Sequence, residues 1–395
     1  MSTLLDFCKT QQQKDIITKH LAGMKSQDIA RDLGLSPTGS GVRKIIALIK
    51  AAAADRGFSP EHHRHVVYPE KQVVTGYSDL VRYPEDDPLG RIIGWIKTNR
   101  SLASQVSDAR GIIEAMSVDI PSKPPVVYQG NVKSSQHFTV IPLGDPHIGL
   151  RTWSEEVGVE WDAQIAMRVF HNVFSRLLAR TPDTGRVVLF NSGDFFHADN
   201  IAGETSRSGH KLDLDGRPGY WLDIGVQIMV MLIDMCLAKY RHVHFVNTPG
   251  NHDDILGMAL GTFARHLYRD NPRFTCSPGH DPFQYLEIGR VALGFCHGHT
   301  CRLPSLPGKM ATDMAAMWGR TTYRHWITGH VHHNQWVQFK EFPGCTIESV
   351  GIIPPKDAYA HGKGYGAGRG TQLLVFDADG GYMPDRFCEA VLASD

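Results

Sequence analysis

Five apolar runs in the second half of the chain end in glycine or a Pro-Gly pair, with polar residues following. The runs HFTVIPLG, RVVLFNSG, HVHFVNTPG, VALGFCHG and RHWITG begin at residues 137, 186, 242, 291 and 324. Short apolar runs bounded in this way are typical of buried strands. Between the early runs lie two helical patterns, at 161–180 and 219–240. The alternation predicts an α/β domain.

Polar residues gather where these predicted strands end, which is where open α/β sheets place their sites. The set comprises Asp145, His147, Asp194, His197, Asp199, Asn251, His252, Asp253, His297, His299, His330, His332 and His333. Carboxylates, imidazoles and one amide, without thiolates, suit Mn, Fe, Zn or Co better than Ca or Mg. The set is larger than one ion needs. Asp194 could bridge two ions, as in two-metal hydrolases.

The order of the motifs adds a specific resemblance. DPH, GDFFH, GNHD, HGH and GHVH, spread over residues 136–350, resemble the calcineurin-like metallophosphoesterase family. The resemblance implies an α/β/β/α sandwich over residues 136–395. It also implies a phosphoester hydrolase that uses two divalent transition ions, with Mn²⁺ favoured and Fe, Zn or Co as alternatives.

Carried over motif by motif, the resemblance implies two ligand groups that share Asp194. One ion would be held by Asp145, His147, Asp194 and His332. The other ion would be held by Asp194, Asn251, His297 and His330. The imidazole of His252 would then donate a proton to the leaving alkoxide or stabilise the charged phosphorane.

The residue that follows GDFF refines the expected substrate. The phosphatases of the family have an Asp followed by Arg near this position, whereas this chain has His197 and Ala198. GDFFH is similar to the GDLFH-like motif of SbcD-type DNA-repair exonucleases, which implies that His197 helps to handle a phosphodiester. Residues 205–221 also resemble phage-encoded phosphoesterases. Cations in this loop could contact phosphate, or they could pair with Asp213 and Asp215.

Four neighbours of these positions are expected to have other roles. Asp199 and Asp253 are expected to orient ligands or cap helices rather than bind an ion. His299 could contact substrate or backbone. His333 would face away from His330 and His332 in an extended segment, and we expect no ligand role for it.

The pattern of residues 1–60 predicts a separate helical module with an excess of basic residues. Apolar residues recur at three- and four-residue steps, and the segment has nine Lys/Arg against five Asp/Glu, a net charge of +4. The pattern resembles a helix-turn-helix whose helix at about 40–54 would present Arg43, Lys44 and Lys50 to DNA. The alternative is a module that docks on a protein partner. Residues 61–135 are interpreted as linker and helices, with one or two helices at 91–119.

Composition limits the function classes. A chain of 395 residues is expected to form two domains. Its 41 basic and 41 acidic residues exclude binding of nucleic acid by bulk charge alone. Seven cysteines without a CxxC pair argue against a disulfide scaffold or a thiolate zinc site. No signal peptide or membrane span is visible, so we expect a cytoplasmic protein, in the host cytoplasm if the chain is phage-encoded.

The function expected from these observations is a metal-dependent DNA nuclease, exo- or endonuclease. The alternative is a phosphodiesterase or phosphatase for a small-molecule or nucleotide phosphoester. A non-enzymatic DNA-binding protein is disfavoured because no ligand of the motifs is missing. Besides DNA, the possible partners are a second copy of the chain, in a homodimer, and a partner ATPase.

Overall fold

The structure is a computed structural model with two compact units, Met1–Ala109 and Arg110–Asp395. Between residues 3 and 100 it describes 3–54 and the strands at 58–59, 64–65, 72–82 and 91–100. Beyond residue 100 it describes 120–132, 136–205, 209–277, 281–331, 337–342, 344–364, 366, 368–380 and 384–395.

The first unit begins with three helices. A 3₁₀ turn at Leu4–Phe7 precedes α1 (Gln11–Leu21), α2 (Ser26–Asp32) and α3 (Ser40–Ala54). A capping box starts α1, since Thr10 Oγ1 accepts from the Gln13 amide at 3.2 Å and Gln13 Oε1 accepts from the Thr10 amide at 3.3 Å. The helices enclose a small apolar core, which includes Ile16, Ile17, Ile29, Val42 and Ile49. The helical character predicted for this region is therefore present.

The turn between α2 and α3 depends on one glycine. Gly39 has a φ of +66°, and a Cβ added there would lie 2.9 Å from backbone atoms of Ser26 and Gln27. The chain therefore folds back against the start of α2 only because residue 39 has no side chain.

The rest of the first unit corrects the sequence interpretation. Its strands are β1 (Phe58–Ser59), β2 (Arg64–His65), β3 (Gln72–Arg82) and β4 (Arg91–Arg100). β3 and β4 pair antiparallel, and β1 pairs with β2. The prediction of helix at 91–100 was wrong: the stretch RIIGWIKTNR contains β-branched and aromatic residues that favour strands, and a glycine that disfavours helix. Residues 101–119 lie outside the described residues.

The second unit contains two β-sheets. The first sheet has the strand order β15-β14-β5-β6-β7-β8, in which β5 to β8 are parallel. Its strands are β5 (His137–Leu143), β6 (Arg186–Asn191), β7 (His242–Asn247), β8 (Phe274–Cys276), β14 (Gly370–Asp377) and β15 (Asp385–Ala390). The second sheet has the order β12-β13-β11-β10-β9, with β10, β11 and β13 parallel. Its strands are β9 (Gln284–Ile288), β10 (Val291–Cys296), β11 (Tyr323–Thr328), β12 (Val337–Phe342) and β13 (Cys345–Val350).

Helices cover the outer faces of both sheets. They are α4 (Ser154–Val157), α5 (Ala163–Arg180), α6 (Pro218–Lys239), α7 (Leu256–Leu267), α8 (Leu306–Asp313), α9 (Ala315–Arg320) and α10 (Ala358–Gly362). Buried apolar residues of α5 and α6 pack on the first sheet, and buried apolar residues of α8 and α9 pack on the second. Between the sheets lies a third apolar layer, where Phe190 and Phe295 meet with ring centroids 4.8 Å apart. The predicted α/β/β/α sandwich is confirmed.

Helix α6 is long and apolar enough to cross a membrane by length and composition. Half of its most apolar window is buried inside the unit, and Trp221, Ile228 and Leu232 are fully covered. Such burial is expected of a core helix that packs between a sheet and a neighbouring helix.

An inter-sheet network of polar residues lies inside the sandwich. It consists of Tyr323, His325, Glu348, Gln372 and Arg386. His325 and Glu348 are fully buried and hydrogen-bonded at 2.9 Å, and Arg386 Nη2 donates to Glu348 at 2.9 Å. Although burial would raise the pKa of Glu348, His325 and Arg386 lower it to about 2. The network joins strands of the second sheet to β14 and β15 of the first.

Residues 120–132 form a strap along the helices of the first sheet. The Lys123 amide donates to Leu267 O and the Gln129 amide to Ala238 O, each at 2.7 Å. Tyr128 Oη donates to Asp183 Oδ2 at 2.6 Å. Val126 packs against the main apolar core. The strap therefore belongs structurally to the second unit.

Candidate metal centre

The polar motifs of the sequence lie at the carboxyl ends of five parallel strands from both sheets. Asp145 follows β5, Asp194 follows β6 and Asn251 follows β7 in the first sheet. His297 follows β10 and His330 follows β11 in the second. The two sheets meet at this edge. The His330 amide donates to Asp145 Oδ2 at 2.7 Å, and His297 Nδ1 lies 2.9 Å from Ser192 O.

Backbone strain is concentrated at the same residues. Among the described residues, the non-glycine residues with positive φ are Asp145 at 33°, His147 at 44°, Asp194 at 48° and His330 at 65°. Such a conformation is costly for residues with a side chain and persists where the surroundings enforce it. All four were predicted from the sequence as metal ligands. The strain orients their side chains into one place.

Asp194 lies at the centre of the arrangement. Asp145, His147 and Asp194 have donor atoms within 4.8 Å of one another, and so do Asp194, His297 and His330. Asp194 Oδ1 accepts from the His252 amide at 2.7 Å, while Asp194 Oδ2 lies 3.1 Å from His297 Nε2. Asp194 therefore belongs to two donor groups, which is the geometry expected of a bridging carboxylate.

Asn251 adds an amide oxygen to the second group. Its Oδ1 lies 3.0 Å from His297 Nε2. The remaining predicted ligand, His332, lies outside the described residues, as does His333. Of the predicted ligands, the structure thus brings Asp145, His147, Asp194, Asn251, His297 and His330 together, and the role of each as a ligand stays a prediction.

Electrostatics in the cluster favour positive charge. Burial would lower the pKa of His297, but Asp194 and Asp145 raise it to about 9. Burial would likewise raise the pKa of Asp194, yet the imidazoles of His297, His252 and His147 lower it well below its usual range. The forces that hold a proton on His297 would equally favour a cation beside the two carboxylates.

Ser192 is a contributor that the sequence interpretation missed. Its Oγ donates to Asp145 Oδ1 at 2.8 Å and lies 3.2 Å from the Asp145 amide, while its carbonyl contacts His297. The residue sits directly after β6, in the NSGD stretch. A small hydroxyl residue between a buried strand and GD was the only available signal, and serines in loops are too common for it to stand out.

Three glycines leave room for these contacts. A Cβ on Gly250 would lie 2.0 Å from Asp194 Oδ1, and one on Gly329 would lie 2.3 Å from Asp145 Oδ1. A Cβ on Gly193 would lie 2.8 Å from Gly250. Both carboxylates therefore rest directly against backbone, in a cradle that any side chain would fill. Together with the donor set of carboxylates, imidazoles and an amide, the cradle fits two transition ions.

A trio of imidazoles flanks the first donor group. His197 Nδ1 lies 3.2 Å from His147 Nδ1, and the rings of His197 and His252 stack at 5.4 Å between centroids. His252 Nδ1 lies 2.9 Å from the carbonyl oxygen of His197. The trio could itself hold an ion by the spacing of its nitrogens. The contact of His252 Nδ1 with a carbonyl favours a proton on that nitrogen, so Nε2 is the ring nitrogen that could hold a proton or an ion.

Asp199 and Asp253 make the contacts expected of them, a helix cap for Asp199 and an orienting role for Asp253. Asp253 accepts from the amides of Asp194 at 3.0 Å, Phe196 at 3.1 Å and Gly250 at 3.1 Å. Burial and the charge of Asp194 raise the pKa of Asp253 well above its usual range. Asp199 accepts from two amides at the start of α7.

The side chain of His299 lies beside the second donor group. Its ring centroid is 5.1 Å from that of His297 and 6.0 Å from that of His330. This position is compatible with substrate contact.

The loop at 205–217 is only partly described. Lys211 Nζ pairs with Glu204 Oε1 at 2.5 Å rather than with Asp213 or Asp215, and the His210 ring contacts the Tyr359 ring at 5.6 Å. Asp215 instead lies 3.9 Å from Arg151. Arg207 lies outside the described residues.

Comparisons with known proteins give only distant similarities. No protein-family model matches the chain, and no curated protein sequence matches it. Among solved structures it is similar to a double mutant of Vps29 from Entamoeba histolytica, with 16% identity over 63% of this chain and 98% of that one, at a TM-score of 0.28. It is also similar to a 5'-nucleotidase from Candida albicans, with 11% identity over 69% of this chain and 54% of that one, at a TM-score of 0.31. Likenesses at this level assign neither activity nor substrate to this chain.

Proposed function

We propose that the chain is a two-metal phosphodiester hydrolase of the calcineurin-like metallophosphoesterase type, and that its substrate is DNA. The observation that carries the hydrolase is the shared position of Asp194 in two donor groups, in which four of the five residues have strained backbone conformations. Strain of this kind persists at functional sites because the surrounding structure maintains it. A structural carboxylate–imidazole cluster would not need it.

The proposed ligands divide between the two donor groups. Asp145, His147 and Asp194 would hold one ion, with His332 as the further ligand implied by the motif. Asp194, Asn251, His297 and His330 would hold the other. Two such ions, when bound, supply the Lewis-acid charge and the activation of water that phosphoester hydrolysis requires.

His252 is the proposed proton donor. Its Nδ1 lies 2.9 Å from His197 O, so Nδ1–H donates to that carbonyl and fixes the ring. Nε2 is then the nitrogen that delivers a proton to the leaving oxygen. His197, stacked against His252 and adjacent to His147, is proposed to contact the phosphodiester.

The choice of a diester rests on His197. The chain has no Asp-Arg pair after GDFF, where the phosphatases of the resembled family have one. Without that arginine, a terminal phosphate with two negative charges would lose a partner, whereas a diester with one charge needs less compensation.

The choice of DNA rests on the first unit. On α3, Arg43 and Lys44 are exposed and Lys50 is partly exposed. Leu48, on the same helix, is 67% exposed. Cations on the helix that follows a turn are suited to phosphate contacts at a groove edge. The module is therefore proposed to deliver DNA to the hydrolase unit.

The hydrolase is tested with Mn²⁺, end-labelled single- and double-stranded DNA, and bis-p-nitrophenyl phosphate. The proposal expects cleavage of the small diester and of at least one DNA substrate, and loss of both on chelation. Cleavage of the small diester without DNA cleavage would favour the alternative, a phosphodiesterase for small molecules. Absence of both activities in metal-loaded protein would end the proposal.

The DNA module is tested by charge removal. Arg43→Ala and Lys44→Ala should each lower the slope of log affinity against log salt by about one. Hydrolysis of bis-p-nitrophenyl phosphate should stay unchanged. Lys14→Ala, which removes an exposed cation from α1, is the matched control and should leave the slope as it is. An unaltered slope in all three variants would point to a protein partner for the module.

A further inference from the structure

Two loops meet beside the metal centre. One follows β6 and contains His197 and Asp199. The other precedes α7 and contains His252. They are joined directly by the contact of His252 Nδ1 with His197 O at 2.9 Å. The geometry of His252 therefore depends on how firmly the two loops are held together.

Helix α7 lacks a cap of its own. Its N-cap residue is Ile255, which makes no side-chain capping hydrogen bond and has no polar atom to do so. Asp199 supplies the missing acceptor from the other loop. Its Oδ2 accepts from the Ile255 amide at 2.7 Å and its Oδ1 from the Leu256 amide at 2.8 Å. Both oxygens of one carboxylate are thus used by one helix end.

A carboxylate suits this place for two reasons. The amides at a helix N-terminus carry partial positive charge, which stabilises an anion. Each amide also offers a donor that would otherwise need water. Burial nevertheless raises the pKa of Asp199 to about 6, against the effect of the two amides. A partly buried charge is therefore kept here at an energetic cost, which argues for a role beyond surface capping.

The tether lies close to His252 in both loops. Asp199 is two residues from His197, whose carbonyl orients His252, and Ile255 is three residues from His252. Asp253 provides a different tether, because its carboxylate accepts from the amides of Asp194, Phe196 and Gly250. The two aspartates thus hold different loops: Asp253 holds the backbone around the proposed ligand Asp194, and Asp199 holds the helix end next to the proposed proton donor His252.

We propose that Asp199 is a positioning residue that holds His252 in place to protonate the leaving oxygen, an inference that rests on the proposed hydrolase function. It acts through the amides of Ile255 and Leu256 and the carbonyl of His197. Loss of the tether lets the helix end move relative to His197. A displacement of about 1 Å at a reacting group costs on the order of 100-fold in rate.

The leaving group provides the decisive test. Nitrophenolate departs without a proton, whereas the sugar alkoxide of a thymidine dinucleotide needs one. Asp199→Ala should lower kcat on the dinucleotide by roughly 10–100-fold and on bis-p-nitrophenyl phosphate by less than about 3-fold. Metal content should not change. Asp199→Asn keeps one acceptor oxygen and should give a smaller but equally selective loss.

Asp162→Ala is the matched control, because it removes the side-chain cap of α5, which accepts from the Ile165 amide at 2.7 Å, instead of the cap of α7. It should leave both substrates unaffected. Equal losses on the two substrates in the Asp199 variants would mean a general structural role and overturn the inference. The same holds if neither substrate responds.

A second readout separates this inference from the proposed function. ¹⁵N-histidine NMR of the metal-free chain should show His252 protonated at Nδ1 in the wild type and an altered tautomer balance in Asp199→Ala. Wild-type protein that hydrolyses neither substrate would end the proposed function, and the NMR comparison would still test the tether. An unchanged His252 signal in Asp199→Ala would overturn the inference on its own.

Discussion

The metal centre and the inter-sheet network are both buried clusters of carboxylate and imidazole, yet they are built differently. The network arises from residues within regular strands, and its central carboxylate, Glu348, contacts the Arg386 guanidinium. The metal centre arises from loops just past strand ends, and four of its residues have positive φ. The network contains a permanently charged guanidinium, whereas Asp145 and Asp194 face amides, a hydroxyl and imidazoles, which are cationic only when protonated.

The difference separates a structural cluster from one that is proposed to bind ions. A network that is satisfied by its own members adds stability or specificity and needs no further ligand. In the metal centre, strained backbone brings two carboxylates together, and we expect a positive charge between them to offset their repulsion. Burial and polarity alone do not distinguish the inter-sheet network from the metal centre, because both are buried and polar.

Removing the shared carboxylate should have the largest effect on turnover. Asp194→Asn takes one charge from both donor groups, so we expect loss of both ions and no measurable hydrolysis of bis-p-nitrophenyl phosphate. Elemental analysis of the purified variant measures the ions. Retention of activity with a single bound ion would remove the two-metal interpretation.

Removing the proposed proton donor should have the next largest effect. His252→Ala leaves the carboxylates intact, so metal content should match the wild type while turnover on DNA falls by roughly 10²–10⁴-fold. Rates and metal analysis on the same preparation give the answer. Departure of the ions together with the imidazole would make His252 a ligand and contradict its assigned role.

Filling the cradle should have an intermediate effect. An alanine Cβ at Gly329 would lie 2.3 Å from Asp145 Oδ1 and 2.6 Å from Ser192 Oγ, so Asp145 must shift. We expect metal affinity to fall about 10–100-fold, the usual scale for disturbed ligand support. Metal titration by calorimetry measures it. Gly319→Ala is the matched control, since its Cβ would meet nothing within 4 Å.

Disturbing the inter-sheet network should affect stability and leave turnover per folded molecule unchanged. Glu348→Gln breaks a buried charged pair and should lower the free energy of unfolding by about 3–5 kcal/mol at pH 7. Urea unfolding of both proteins measures this difference. A loss of turnover at full folding would mean that the network serves the metal centre, and the contrast between the two regions would fail.

The same variant carries a pH signature. The pKa of Glu348 falls from 4.5 to about 2 on folding, so the stabilisation is present above pH 4.5 and is lost as the pH drops toward 2. The stability gap between wild type and Glu348→Gln should therefore narrow over that interval. If the difference in unfolding free energy stays constant from pH 5 down to about pH 2, the effect of the substitution comes from packing rather than from charge.

Much of the site could be predicted because its parts follow short, recognisable patterns. A buried parallel strand must end near the same sheet edge as its neighbours, so Asp145, Asp194 and Asn251 had to approach one another. His297 and His330 also followed predicted strands, and the resemblance then supplied the second sheet and the division of the ligands between two ions. The residue types at these positions already restricted the chemistry to a transition-metal site.

Other features depend on contacts that no local pattern records. The cap on α7 comes from Asp199, 56 residues earlier, and nothing around Ile255 announces it. Ser192 gains its role only when β5, β6 and β10 are assembled. The strand at Arg91–Arg100 was interpreted as helix because its apolar residues, taken without a partner strand, fit either periodicity.

The strap at residues 120–132 changes where the second unit can be cut. A fragment trimmed to the first core strand, at about residue 136, would strip Val126 from the apolar surface it covers. The same cut would leave Arg273, whose guanidinium donates to the Val126 carbonyl, without that acceptor. A fragment that starts near residue 110 keeps these contacts. The smallest fragment of the second unit that keeps its core contacts therefore begins well before Asp145, the first residue of the candidate metal centre.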